Sequence, residues 1–300
     1  MQPVTPETKI IPPQRTPRNA VVAVVCANVA LAFGPLFVRM ADTGPVAAGF
    51  WRIALALPVL LAVATWSDRR AVLRGASLLV PLLIGGIAFA ADLGTWHIGI
   101  RRTTLANATL FGNCAVLIFP IYGFIAMRRW PTRAQALALA LAAVGGVLLL
   151  GRSAELSSRH LAGDLFCLLA GVLYAVYFIV MRGVRRTMAP LPALALSSLA
   201  GVLPLLLLAM ALGEPIVPHD WTPLLALALV SQIAGQGLML YALGQLSPLV
   251  VGLALLLQPL VGATIGWAVY GERLGPMDAL GAALVAVALA IVGARRAPER

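Results

Sequence analysis

The sequence predicts an all-α integral membrane protein, with ten transmembrane helices forming two inverted five-helix repeats and both termini in the cytoplasm. Three observations predict it. Of 300 residues, 61% are hydrophobic and 11% charged, with a mean hydropathy of +0.94, whereas a soluble domain carries roughly 25% charged residues. Apolar runs of about 18–26 residues, each able to cross a bilayer, succeed one another from Ala20 to Ala294. Several element ends in the second half repeat those of the first at one offset, 143 residues.

The Pro-rich, polar residues 1–19 are expected to be disordered in the cytoplasm. The first repeat, 20–151, is expected to hold helices near 20–38, 45–66, 77–99, 104–127 and 133–151. The second, 163–294, is expected to hold them near 163–181, 190–212, 221–243, 249–270 and 276–294. The first run contains Asn28, Pro35 and Arg39 and has no small-residue cleavage site, so it reads as an uncleaved signal anchor. With the N-terminus inside, the internal segments hold fifteen Lys and Arg residues and the external ones six. That bias sets the orientation, and the net charge of +11 is therefore a topological signal and not a nucleic-acid footprint. Cys26, Cys114 and Cys167 fall inside spans with no metal-like or CxxC spacing and read as packing residues.

The offset aligns Arg39 with Arg182, the turn at 100–104 with that at 243–247, Arg129 with Glu272 and Gly145 with Ala288. Five helices per half is an odd number, so the second half enters the membrane from the opposite side. That is a recurrent design of secondary transporters, with the substrate site between the halves. The richest stretch is 241–272. There Gln245-Leu246-Ser247-Pro248 turns between two apolar runs and Gln258-Pro259 interrupts the second.

From Tyr241 to Val292 the sequence resembles the second repeat of the EamA-type transporters of the drug/metabolite transporter superfamily. The resemblance rests on Ala242-Leu243, Ser247-Pro248, Pro259, Gly271-Glu272-Arg273 and Gly281. Asn28 to Leu150 resembles the same pattern more loosely and departs from it at Arg129, where that pattern has a glutamate. Trp96-His97, beside Asn107 and Asn113, is similar to the YddG-type exporters of aromatic amino acids. The resemblance implies a ten-helix exporter of small metabolites working by alternating access.

Charge inside a bilayer costs at least about 2–3 kcal/mol per group unless it is paired or wet. Arg52 and Asp92 both sit roughly 10–12 Å from the external face at 1.5 Å per residue. They form a candidate ion pair that either fixes packing or meets the carboxylate and ammonium of a substrate. His97 beside Trp96 is a proton carrier or substrate ligand, or else a hydrated anchor in an aromatic belt. Gln232 and Gln236, four apart, share a face of helix 8. Gln258 precedes a proline whose missing N–H frees a carbonyl. Asn107 and Asn113 occupy helix 4, the counterpart of helix 9. Tyr174 and Tyr177 on helix 6 suit stacking of an aromatic substrate or simple packing. Gly262 and Gly266 make a GxxxG step expected in scaffold or oligomer surface. Glu272 is expected to be structural.

The expected function is a secondary transporter exporting amino acids, aromatic or otherwise apolar, and related small metabolites across a bacterial inner membrane. A small-solute channel is the alternative. An enzyme acting on lipids would need an assembled site, and His97, His160 and His219 make no HExxH or paired spacing. No GxxxxGKS exists to use ATP directly. The expected partners are a small-molecule substrate and membrane lipids, with no cofactor, no metal, no nucleic acid and no obligatory protein partner.

Overall fold

The computed structural model describes residues 17–100, 102–103, 111–151, 160–270 and 275–294, and among these only helices and their connections occur. Asn107, Glu272 and Arg273 lie outside the described residues, as do residues 1–16.

The first half contains α1 (Arg18–Ala32), α2 (Gly34–Met40), α3 (Pro45–Leu73), a 3-10 turn (Arg74–Leu78), α4 (Leu79–Ile100), α5 (Ala115–Ala126) and α6 (Arg133–Gly151). The second contains α7 (Leu161–Val184), α8 (Pro190–Ala211) and α9 (Thr222–Ala226), followed by a π-helical segment (Leu227–Gln236). It then continues with α10 (Gly237–Leu243), α11 (Pro248–Ala254), α12 (Leu257–Tyr270) and α13 (Pro276–Ala294). Six stretches are long and apolar enough to cross a membrane: 18–40, 45–67, 75–99, 161–184, 190–211 and 222–243. Four shorter apolar helices lie where the remaining spans were expected.

Four expected spans are not plain α-helices. Helix 1 is interrupted at Phe33, between α1 and α2, next to Gly34-Pro35. Helix 4 turns at Asn113–Cys114 before α5, next to Gly112, and Gly and Asn are weak helix formers. Helix 9 breaks at Leu255–Leu256. Pro259 explains this break, because it offers no N–H to the Leu255 carbonyl four residues back and its ring crowds that carbonyl. Helix 8 winds as a π-helix through its central ten residues, a form usually seen as single turns at functional sites.

The outside of the bundle is apolar. On α8, Leu199, Leu203, Leu207 and Met210 form one exposed face, while Leu194, Ser197, Ser198, Gly201, Leu205 and Ala209 are buried on the other. On α4, Leu83, Ile84 and Ile87 are exposed. Contiguous exposed apolar faces on several helices fit lipid and not water. Cys26 is exposed and not packed as expected, whereas Cys167 is buried.

Packing is symmetric under exchange of the halves. α3 lies on α8 and α6 on α13, each pair mapping onto itself, and α5 lies on α11. The α4–α7 contact maps onto the contact of α1 with the π segment and α10. The α4–α8 contact maps onto α3 with the π segment, and α5–α7 onto α12–α1. A reciprocal fit seals α5 against α11: a Cβ on Gly123 would meet the Pro248 ring at 2.6 Å, and one on Gly252 would strike Pro120.

Candidate substrate site and an interlock between the halves

Close approach of α4 and α7 sets their register. A Cβ on Gly99 would lie 2.5 Å from the Cys167 sulfur, and one on Gly85 would lie 2.9 Å from that of Met181. These two contacts put Phe89 level with Tyr177 and Asp92 level with Tyr174. The Phe89 and Tyr177 rings stack at 4.9 Å, and Tyr174 meets Phe178 at 4.3 Å. The face of α4 carrying Gly85, Phe89, Asp92, Trp96 and Gly99 is thus turned inward, opposite its lipid face.

Arg52 of α3 reaches this aromatic wall. Its guanidinium carbon lies 5.5 Å from the Phe89 ring centroid, in cation–π range. Its Nε donates to Gln232 Oε1 at 3.0 Å, and Gln232 Nε2 donates to Ser198 Oγ at 3.1 Å. Its Nη2 is buried and has no partner among the described residues. The expected ion pair with Asp92 is not formed as a contact: the two groups interact through space, and among the described residues they make no direct salt bridge. Equal depth does not make them meet: Arg52 turns its Nε to Gln232 and its face to Phe89.

His97 is 4% exposed and packs beside Gly49 of α3. That excludes a hydrated anchor. Its Nδ1 lies 2.6 Å from the Leu93 carbonyl; a carbonyl only accepts, so Nδ1 carries the hydrogen. Nε2 is left buried without a partner. Trp96 meets the His97 ring edge-on at 5.1 Å.

From the other half, Ser231 Oγ and Gln236 Oε1 of the π segment are also buried without partners, as is the Tyr177 hydroxyl, which faces Ser197. The Tyr174 hydroxyl lies beside Gln236 and Gln258. Gln258 Nε2 donates to Asn28 Oδ1 at 2.9 Å, and Asn28 Nδ2 donates to the Val24 carbonyl at 2.7 Å, tying α12 to α1. Asn113 sits half-buried in the turn before α5. The sequence-based candidates Arg52, Asp92, His97, Tyr174, Tyr177, Gln232 and Gln236 therefore converge on the crossing of α3, α4, α7 and the π segment, and Gln258 reaches Tyr174 there from α12. Phe89, Ser198 and Asn28 complete the centre and were not expected there. The 143-residue offset aligns Phe89 with Gln232, a signal for Phe89 already present in the sequence.

An orphaned buried polar group costs about 1–3 kcal/mol. Such atoms on Arg52, His97, Tyr177 and Gln236 lie about the α4–α7 crossing, while that of Ser231 lies toward Gly34.

Residues 18–151 and 161–294 each match the EamA-like transporter family. The chain belongs to that family. This EamA-like chain is thus a multi-pass membrane transporter of two repeats, within the drug/metabolite transporter superfamily. The two matched segments begin and end at the same 143-residue offset. It is similar to a solved crystal structure with a TM-score of 0.78 at 16% identity, covering 92% of this chain and 97% of that one; likeness at that identity speaks for the fold. No curated protein matches the EamA-like chain.

At the end of the bundle where α3 begins, the halves of this EamA-like protein interlock. Glu214 accepts the Ala47 N–H through Oε2 at 2.9 Å, a carboxylate at the positive end of α3. Gly44 makes room for that carboxylate and donates its N–H to the Pro215 carbonyl at 3.0 Å. Trp51 Nε1 donates to the Ile216 carbonyl at 2.6 Å and its ring meets Trp221 edge-on. Asp42 Oδ2 accepts the His219 N–H at 2.8 Å and approaches His219 Nδ1 at 3.1 Å. The His219 backbone N–H holds the Asp42 carboxyl below its ordinary value. At the other end, Arg182 donates to the Leu243 and Leu246 carbonyls and Arg185 to those of Leu240 and Met188. That clamp stays within the second half.

Proposed function

We propose that this protein is a secondary transporter exporting amino acids, aromatic or otherwise apolar, and related small metabolites across the bacterial inner membrane by alternating access. In this reading it is nearest in kind to the YddG-type exporters, with ten spans, inverted repeats and both termini inside.

The observation that carries this reading is the separation of Arg52 from Asp92. A guanidinium with an open, buried Nη2 and an Asp92 side chain that makes no direct salt bridge with it would each offer a partner to one end of a zwitterion. Its carboxylate would meet Arg52 and its ammonium Asp92. Phe89, Tyr174, Tyr177 and Phe178 pack together as an aromatic cluster, of which the part-exposed Tyr174 would offer a ring to an apolar side chain. His97, Trp96, Gln236, Gln258 and Asn113 would complete the lining. Rocking of the halves about this centre would alternately break and restore the interlock at Asp42 and Glu214.

Counterflow of a panel of labelled amino acids in proteoliposomes tests the reading. Saturable exchange of aromatic or apolar amino acids is expected. Exchange of other metabolites with no amino acid exchanged overturns the substrate class, and flux without saturation or counterflow favours a channel. If Asp92 or His97 carries a coupled proton, Asp92→Asn or His97→Ala flattens the pH profile of transport; two unchanged profiles remove proton coupling at these residues.

A further inference from the structure

We infer that Gln232 is a positioning residue for anion recognition: it orients Arg52 while leaving that residue's charge uncancelled, and Ser198 holds Gln232 in place. The inference rests on the reading of Arg52 as the group that meets a substrate carboxylate.

The hydrogen bonds fix the amide. Arg52 Nε can only donate and Gln232 Oε1 accepts it at 3.0 Å, while Gln232 Nε2 donates to Ser198 Oγ at 3.1 Å. A flipped amide would set its NH2 against the Nε–H, donor against donor. Gln232 is 0% exposed and Ser198 2%, so water does not offer either one an alternative partner. The plane of the guanidinium is set from the other side by Phe89, 5.5 Å from its carbon. Phe89 and Gln232 occupy equivalent positions of the two repeats, 143 residues apart. One residue type takes the ring face and the other the Nε edge, leaving Nη2 buried and open.

The chemical identity of the partner matters. A buried arginine is ordinarily matched by a carboxylate, which would orient Arg52 equally well but cancel its charge and compete with any anionic guest. A neutral amide orients without cancelling. Position 232 therefore sets the preference between a carboxylate-bearing ligand and the corresponding amine.

The test uses full-length purified protein in detergent, with ligand-induced thermal stabilisation giving apparent Kd values for phenylalanine and for phenethylamine, which lacks only the carboxylate. Wild type should prefer phenylalanine. Gln232→Leu should weaken phenylalanine about tenfold, the scale of one hydrogen bond to a charged group, and leave phenethylamine within about twofold. Gln232→Glu should go further and tighten the amine, reversing the preference. Ser198→Ala should weaken phenylalanine alone, and Ser198→Thr, which keeps the hydroxyl, should restore it. Melting temperatures without ligand separate these effects from misfolding, and the two Ser198 variants carry the test if the Gln232 variants do not fold. Equal shifts for acid and amine, or no shift for phenylalanine, overturn the inference. Arg52→Gln separates the two levels. If it abolishes the preference while the Gln232 and Ser198 variants retain it, only the positioning role falls. If wild type binds both compounds alike or neither, or Arg52→Gln keeps the preference, the reading of the site falls and this inference with it.

Discussion

Arg52 carries a full charge into an apolar span with one neutral hydrogen bond and one ring to hold it. Lysine would keep the charge but lose the planar fork, so Arg52→Lys should no longer reach Gln232 and face Phe89 at once. Counterflow is expected to show an apparent affinity about tenfold weaker; wild-type affinity would mean that charge alone suffices. Arg52, Asp92, His97, Gln232 and Gln236 were legible in the sequence because ionisable groups and amides are conspicuous in apolar runs. Ser198 and Asn28 were not. A serine or asparagine in a membrane helix usually makes some interhelical hydrogen bond, and only the fold says with which partner. The direct Arg52–Asp92 pair was inferred from matched depth, and depth carries no information about which way each side chain turns.

At the scale of elements, the positions of six long apolar helices were legible from hydropathy, and the break in helix 9 follows from Pro259. The π winding of Leu227–Gln236 was not, since no residue there forbids an α-helix. The close fit of α5 on α11 predicts different costs for glycines that look alike in sequence. Gly252→Ala drives a methyl into the rigid Pro120 ring and should destabilise the protein by about 1–3 kcal/mol, read as a lower melting temperature in detergent. Gly262, first residue of the GxxxG step, meets nothing within 4 Å. Gly262→Ala should leave the monomer's melting temperature unchanged or raised. Equal losses at both positions would contradict this packing.

At the scale of the whole molecule, the interlock joins chain segments about 170 residues apart (Ala47 and Glu214 are separated by 167). Removing the Glu214 carboxylate should free the Ala47 N–H, so Glu214→Ala should speed hydrogen exchange over residues 44–51 relative to the Arg182 end. Unchanged exchange would mean that the carboxylate does not hold this end shut. The pH behaviour of the Asp42 contact follows from its sign. A carboxyl held below its ordinary value in the folded protein contributes stability above the unfolded pKa of about 3.9. That contribution disappears as pH falls through the lower folded value. Asp42 therefore stays charged from pH 5 to 8, and Asp42→Asn should not alter the shape of the transport pH profile in that window. A shifted profile would place proton sensing at the loop.

The π segment has one more consequence. The two matched repeats contain the same number of residues, so the extra width of that helix adds no net residue to its repeat; the same count is wound differently. A helix with more residues per turn advances less along its axis, so the stretch from Thr222 to Leu243 is shorter than α4, its equal in number. The two walls facing a guest are thus unlike in backbone pitch as well as in side chains. A lineage could exchange their roles only by changing the winding, which no single polar substitution achieves.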